Sequence, residues 1–527
     1  MGKASRRKRY AGGTVGGGSI ALESQRMARS YETSFLDRAL ARWDIGLAVL
    51  AWCFWFLGHF EGAGSDLAIP LWVLSGFAVG LLAPWTGLLL GIATIPFLGG
   101  ATDQPSGEVL RNLPIHAAAI RVLLDRFVFG PAAGRTIRTG PPTWVVVCAA
   151  LAAFLYTVSV STGALAVTGG QGSDPAFWDS GIRWVVGGSA GMMSAWIAGS
   201  HLVHGRERTF TSWVFVVLSV ALVAALLAWA NDAGVLALEF VKQFTFPGIV
   251  NGRLAALGYP TPTSMGIAVS LPFALYGAWR LSGRLADRLR AREGGAGRAV
   301  AAVPYAIPIV LVGVALLVIA LTESRGPILA LAAGLVAALL GGLRIPRRFL
   351  IPGALVAVAM VLVFVQNRFE TIDPVAIFQS LVTNNVSDFD RIMTWGAAVQ
   401  IALGNPLFGG GWRAIERFSD FASRQVAYSH NTILHGFAEG GLPLGITNGA
   451  AVLFSVWMVW KRRSTMAPWL IAAAVIFFVC GFWDIPQVRT FASTMGGIAM
   501  GMAAGPLIAR ETRTATPAAA GEEPAAA

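Results

Sequence analysis

The sequence predicts an all-α fold: a polytopic transmembrane helix bundle of about 12 spans with one large loop on its outer face. Three observations carry this reading. Of 527 residues, 55% are hydrophobic and only 13% charged, against about 25% charged in a soluble domain. The mean hydropathy is +0.63, and the apolar residues fall in runs of about 20, the length that crosses a bilayer as a helix. The basic residues, which give a net charge of +12, sit in short segments between the runs. That pattern orients a multi-pass protein, and it is not the compact basic face that nucleic-acid binding requires.

Residues 1–43 form a cytoplasmic tail, basic and glycine-rich (MGKASRRKRYAGGTVGGGS). No apolar core follows directly, so this is not a cleavable signal peptide. Gly12 to Ser19 lacks the Gly-Lys-Ser/Thr ending of a phosphate-binding loop. The bundle occupies 44–510, with apolar spans near 45–61, 68–99, 143–165, 182–203, 211–230, 262–281, 302–322, 326–343, 349–366, 432–460, 467–483 and 490–509. The second is too long for one span and carries a Pro84-Trp85 break. Residues 108–130 are amphipathic, with Arg121, Asp125 and Arg126. If 68–99 is a hairpin, 108–130 must cross as well, and the count becomes 14. Residues 511–527, rich in Ala, Pro and Glu, are expected to be a disordered cytoplasmic tail. Cys53, Cys148 and Cys480 all lie within apolar runs, with no metal-ligand spacing.

Loop charge orients the spans. Arg280 to Arg298 holds six Arg and two acids, and Arg344/Arg347/Arg348, Lys461/Arg462/Arg463 and Arg206/Arg208 agree with it as cytoplasmic segments. The remaining connections, 231–261, Ser324–Arg325, 367–430 and 484–489, then face outward. Loop 367–430, with five Arg and six acids, is close to neutral. Loops of this length are commonly functional. Ile392, Trp395 and Val399 recur at helical spacing, which predicts a short helix on the mouth of the bundle.

Four polar features converge on the outer face: Arg253 in NGRLAALGYP, Arg325 in TESRGPILALAAG, Arg391 with Trp395, and His430, Asn431 and Glu439 in YSHNTILHGFAEGGLPLG. Polar groups at membrane depth are costly unless paired, so they mark function. Each has an ordinary alternative: an arginine can snorkel at a helix end, and a histidine can buttress one. Taken together, outer arginines and a histidine suit the holding of an anionic group and the transfer of a group from it. The planar guanidinium grips phosphate through two parallel bonds, and a histidine near neutral pKa takes a proton from a hydroxyl. His435 lies five residues beyond His430, which is not the i, i+4 arrangement of a helical zinc pair. No metal or other cofactor is expected.

The motifs His430-Asn431-Thr432-Ile433-Leu434, Glu439-Gly440-Gly441 with Gly445, Arg391-x-x-x-Trp395, Asn405-Pro406-Leu407-Phe408-Gly409 and Ser324-Arg325-Gly326 resemble those of the O-antigen ligase and O-antigen polymerase superfamily of bacterial membrane glycosyltransferases. The resemblance is strong over about 320–500 and weaker back to Gly252-Arg253-Leu254. There the chain departs from the family, with Leu257-Gly258-Tyr259-Pro260-Thr261-Pro262 in place of a Phe and an Asn-Pro-Asn turn. The resemblance implies a glycan donor carried on a polyprenyl (undecaprenyl) diphosphate, a glycolipid or glycan acceptor such as lipid A-core, and metal-independent, inverting transfer on the periplasmic side of the inner membrane. It implies His430 as general base, Arg325 and Arg253 as diphosphate-binding residues, and Arg391, Trp395, Asn431 and Glu439 as supporting or acceptor-binding residues. A repeat-unit polymerase and a protein O-glycan transferase share these motifs. A transporter or flippase for lipid-linked sugars would instead place ionisable residues near span midplanes, in broken helices of matched halves.

Overall fold

The computed structural model describes residues 43–58, 63–96, 111–129, 140–167, 185–238, 248–250, 252–257, 260–293, 300–343, 386–411, 414–415, 429–483 and 490–508. The expected span 349–366, most of loop 367–430, turn 484–489 and both tails lie outside these residues, apart from Trp43. The described part is mostly helical. Its helices are α1 (Asp44–Leu57), α2 (Ala63–Leu82), α3 (Pro84–Ala93), α4 (Leu113–Leu124), α5 (Thr143–Val167), α6 (Gly191–Leu202), α7 (Glu207–Asp232), α8 (Pro260–Glu293), α9 (Ala306–Leu321), α10 (Arg325–Leu340), α11 (Val386–Gly404), α12 (Thr432–Arg462), α13 (Pro468–Trp483) and α14 (Thr490–Ala504). A two-stranded antiparallel hairpin, β1 (Ile249–Val250) and β2 (Arg253–Leu254), precedes α8. Among the described residues, Glu207–Asp232, Ala302–Leu321 and Thr432–Arg462 are long and apolar enough to cross a membrane, and several shorter apolar helices accompany them.

Glycine sets how closely the helices approach. Gly497, Gly501 and Gly505, one per turn of α14, lie against Met192, Trp196 and Ser200 of α6, and a Cβ at any of them would strike the α6 backbone. Small residues every fourth position are how membrane helices gain van der Waals contact without a hydrophobic drive. The register also shows that α6 and α14 run parallel. Gly341 meets Ile471 and Gly334 meets Ile476, so α10 and α13 run antiparallel. Trp144 packs edge-on against Phe454 at 5.8 Å, while Ser159 donates to the Glu439 carbonyl at 3.3 Å, so α5 climbs as the later part of α12 descends.

These registers sort the polar segments into two ends. Arg462 donates to the Gly505 carbonyl at 2.6 Å, at the end of α14 where α6 also finishes. Arg206 leans on Trp85 at the same end, 5.2 Å from the ring. The hairpin, the Thr322–Ser324 turn and the start of α12 lie at the opposite end.

Two segments depart from simple spans. Residues 68–99 divide at Ala83, and Pro84 begins α3, which is only ten residues long, or about 15 Å. Gly80 and Gly87 touch across this break. The stretch expected at 432–460 is not one continuous helix. Gly441 adopts φ 66°, ψ −160°, a region almost confined to glycine, and the chain folds back on itself. Asn448 Nδ2 donates to the Thr432 carbonyl at 3.1 Å, and Gly436 faces Gly445. A short helical arm, 432–440, therefore lies alongside the longer part, 442–462. The apolar run hid this because both arms of the hairpin are hydrophobic; the break is written in Gly440-Gly441-Leu442-Pro443.

Candidate active site

The fold-back determines where His430 sits. Thr432 is level with Asn448, six residues along from Leu442, so the start of the arm is recessed about 9 Å beneath the Gly441 turn. Folding back leaves the carbonyls of Ala438 and Glu439 without helical partners, which at membrane depth costs several kcal/mol each unless they are rebonded. The Asn405–Gly411 turn supplies the donors. Gly410 N bonds to Ala438 O at 2.8 Å and Gly411 N to Glu439 O at 2.9 Å, while Leu442 N bonds to Pro406 O at 2.7 Å. Gly409 and Gly411 reach these positions with φ of 61° and 72°. The Asn-Pro-Leu-Phe-Gly and Glu-Gly-Gly-Leu-Pro motifs are thus two halves of one backbone clasp.

His430 precedes the arm, half-buried, with φ 49°. Asn431 caps the arm: its Oδ1 accepts from Ile433 N and Leu434 N, both at 3.0 Å. Its Nδ2 donates to the Phe482 carbonyl near the end of α13, at 3.3 Å. Such a cap satisfies two otherwise orphaned donors and is worth about 1 kcal/mol. Trp395 of α11 packs edge-on against the Phe482 ring at 5.6 Å, and Thr394 Oγ1 donates to the Ser429 carbonyl at 3.4 Å. Helix α11 is the helix expected from Ile392, Trp395 and Val399, and it is longer than expected. Arg391 lies in its second turn.

Arg253 and Arg325 meet through one turn. Arg253 on β2 donates from Nε to the Thr322 carbonyl at 2.7 Å and from an Nη to Ser324 Oγ at 3.0 Å. Ser324 is the N-cap of α10, and Arg325 is its first residue. Between Thr322 and Ser324, Glu323 holds φ 52°. Because α10 runs antiparallel to α13, its first residue lies near the end of α13 that carries Phe482. The turn, Arg253 and the start of α12 therefore share one end of the bundle.

Among the described residues, the two non-glycine residues with positive φ are Glu323 and His430. Left-handed backbone at bulky residues is uncommon and clusters at functional sites. The first precedes the Ser-Arg-Gly motif by one residue; the second is the histidine of the His-Asn motif. Sequence reasoning passed over Glu323, which carries no type signal, and over Ser324 as the acceptor for Arg253.

Glu439 lies beside His435 within the arm. Its carboxylate lies 3.3 Å from His435 Nε2, with both side chains nearly fully buried. Between α12 and α13, a small apolar crevice of about 20 Å³ is lined by Thr432, Val452, Phe477 and Phe482, with Asn431 at its edge.

No curated protein matches the chain. Residues 309–449 match a family model described as O-Antigen ligase, a segment that runs from α9 through the Arg325 turn, α11 and the clasp to the His430 arm. Over these residues, which build this end of the bundle, the chain is similar to the O-antigen ligase family.

Proposed function

We propose that the protein is an O-antigen ligase-like glycosyltransferase. It moves a glycan from a polyprenyl (undecaprenyl) diphosphate donor to an acceptor hydroxyl, on lipid A-core or a similar glycolipid, at the periplasmic side of the inner membrane. The observation that carries this reading is the pairing of strained backbone with chemistry. Glu323 and His430 flank the arginine motif and the histidine motif at one end of the bundle.

The step is a single inverting displacement. The acceptor oxygen attacks the anomeric carbon as its proton passes to His430, acting as general base. The bond from that carbon to the diphosphate oxygen breaks, and the electron pair leaves with the polyprenyl diphosphate. Arg325 and Arg253 offset the charge that develops there. Recession of His430 beneath the Gly441 turn limits water, whose attack would waste the donor. Trp395 and Arg391 on α11 are assigned to the acceptor side. Asn431 fixes the backbone next to His430, and Glu439 with His435 stiffens the arm.

The experiment is deletion of the gene followed by gel analysis of the cell's glycolipids. A ligase deletion leaves the acceptor bare while polymer accumulates on the carrier lipid. An acceptor bearing one repeat unit would instead assign the protein as a polymerase, and unchanged glycolipids would reject both.

A further inference from the structure

Helix α7 ends on an acid. Asp232 is its last residue, where the negative pole of the helix dipole makes a carboxylate unfavourable. The side chain is exposed and takes no part in the mechanism above. Its hydrogen bonds give the reason for its position.

Asp232 Oδ2 accepts from Gly248 N at 2.7 Å and from Ile249 N at 3.3 Å. One carboxylate oxygen thus holds the entry of strand β1 against the end of α7. Gly248 lies so close to α7 that a Cβ there would strike the Ala228 carbonyl. The neighbouring Asn231 Oδ1 accepts from Leu238 N at 2.7 Å, so both side chains at this helix end are spent on the backbone that follows it.

From that anchor the hairpin is a short path to Arg253. Gly248 O accepts from Ala255 N at 2.9 Å, and the strands pair Ile249 with Leu254 and Val250 with Arg253. The backbone that Asp232 clamps is therefore directly across the hairpin from Arg253 and its neighbour. On the other side, Thr263 Oγ1 of α8 donates to the Ala255 carbonyl at 2.9 Å. Two strands of two residues are not stable alone, so the placement of this hairpin comes from what holds its edges. Helix α8 holds one side and Asp232 the other. Arg253 then reaches the Thr322 carbonyl and Ser324 Oγ, at the head of the helix that begins with Arg325.

We propose that Asp232 is a positioning residue for the diphosphate-binding arginines. By clamping the N–H groups of Gly248 and Ile249, it fixes the hairpin that delivers Arg253 to the turn before Arg325. This rests on the function proposed above and adds to it a residue that acts through Arg253.

The test is binding of sugar-free undecaprenyl diphosphate to the full-length protein in nanodiscs, measured for Asp232→Ala, Arg253→Ala and the double variant. Arg253→Ala is expected to weaken binding about tenfold to a hundredfold, the effect of losing a charge-assisted hydrogen bond. Asp232→Ala is expected to weaken it about threefold to tenfold, with a melting temperature close to that of the wild type because the carboxylate is exposed. In the Arg253→Ala background the same change is expected to add nothing, since residues that act as one unit are not additive. Asp232→Asn keeps an acceptor oxygen and is expected to restore most of the affinity. Wild-type affinity in Asp232→Ala, with Arg253→Ala impaired, would overturn the positioning role alone. Additive losses in the double variant would overturn it as well, because Asp232 would then act independently of Arg253. A loss in Asp232→Asn as large as in Asp232→Ala would assign the effect to charge and reject the clamp. No binding by the wild-type protein, or wild-type affinity in Arg253→Ala, would overturn the diphosphate reading itself.

Discussion

Arginine is present at both ends of this bundle, and the two ends use it differently. At the basic end the cations lean on aromatic rings: Arg206 on Trp85, Arg280 on Tyr276, Lys461 on Trp457 and Arg463 on Trp460, at 4.2 to 5.7 Å. These are anchors of the kind that hold a membrane protein at an interface. None of the four has a left-handed backbone. At the opposite end Arg253 spends its donors on a turn that contains a left-handed glutamate and leads into Arg325. A guanidinium used to hold strained backbone next to a second arginine is doing more than locating a helix end. The contrast separates topology from chemistry: net charge finds the first end, and geometry is needed to recognise the second.

The sharpest way to break the comparison is at His430. Replacing it with Asn removes the base while supplying a residue that tolerates positive φ. Glycan transfer in a reconstituted assay is expected to fall by about a thousandfold, with thermal stability in detergent unchanged. Near-normal transfer would remove His430 from the mechanism. Next in size is Arg325→Lys, which keeps the charge but loses the bidentate fork. Transfer is expected to fall about a hundredfold, and full activity would refute the phosphate grip.

Gly441 tests whether the clasp positions the site. A Cβ there would stand 2.5 Å from the Pro406 carbonyl oxygen, on a backbone conformation that L-residues avoid. Gly441→Ala is expected to cost about 1–3 kcal/mol of stability. It should also lower transfer about tenfold, because a shift at the turn moves a base that must be held within a fraction of an ångström. A destabilised protein with wild-type turnover would mean that the arm is support only.

Much of this was legible in the sequence, for identifiable reasons. The candidate spans near 211–230 and 302–322 are visible because each is one apolar run bounded by polar residues. The arginine and histidine motifs stand out because their side chains are anomalous beside lipid. The fold-back at Gly441 was not legible from hydropathy, since the arm 432–440 is as apolar as the helix it packs on. Glu439 read as a companion of His430 by nearness in sequence. The helical period of the arm also sets it beside His435, a contact that nearness to His430 does not suggest. Asn431 read as a polar group near the chemistry, yet its oxygen is committed to the cap.

The smallest expected effect lies at the basic end and completes the contrast. Arg463 is an arginine like Arg253, with a cation–π contact at 4.2 Å and one hydrogen bond to the Trp460 carbonyl at 2.8 Å. Its backbone stays in the right-handed region. Removing it exposes no buried group and releases no strained turn. Arg463→Ala is expected to lose about 0.5–1 kcal/mol, with transfer unchanged within about twofold. Arg253→Ala is expected to disturb Thr322 and Ser324 at once and to impair transfer far more. Parallel melts and transfer assays on the two variants measure the difference directly. Equal effects would show that the arginines of both ends are interchangeable anchors, and the distinction drawn from the Glu323 turn would fall.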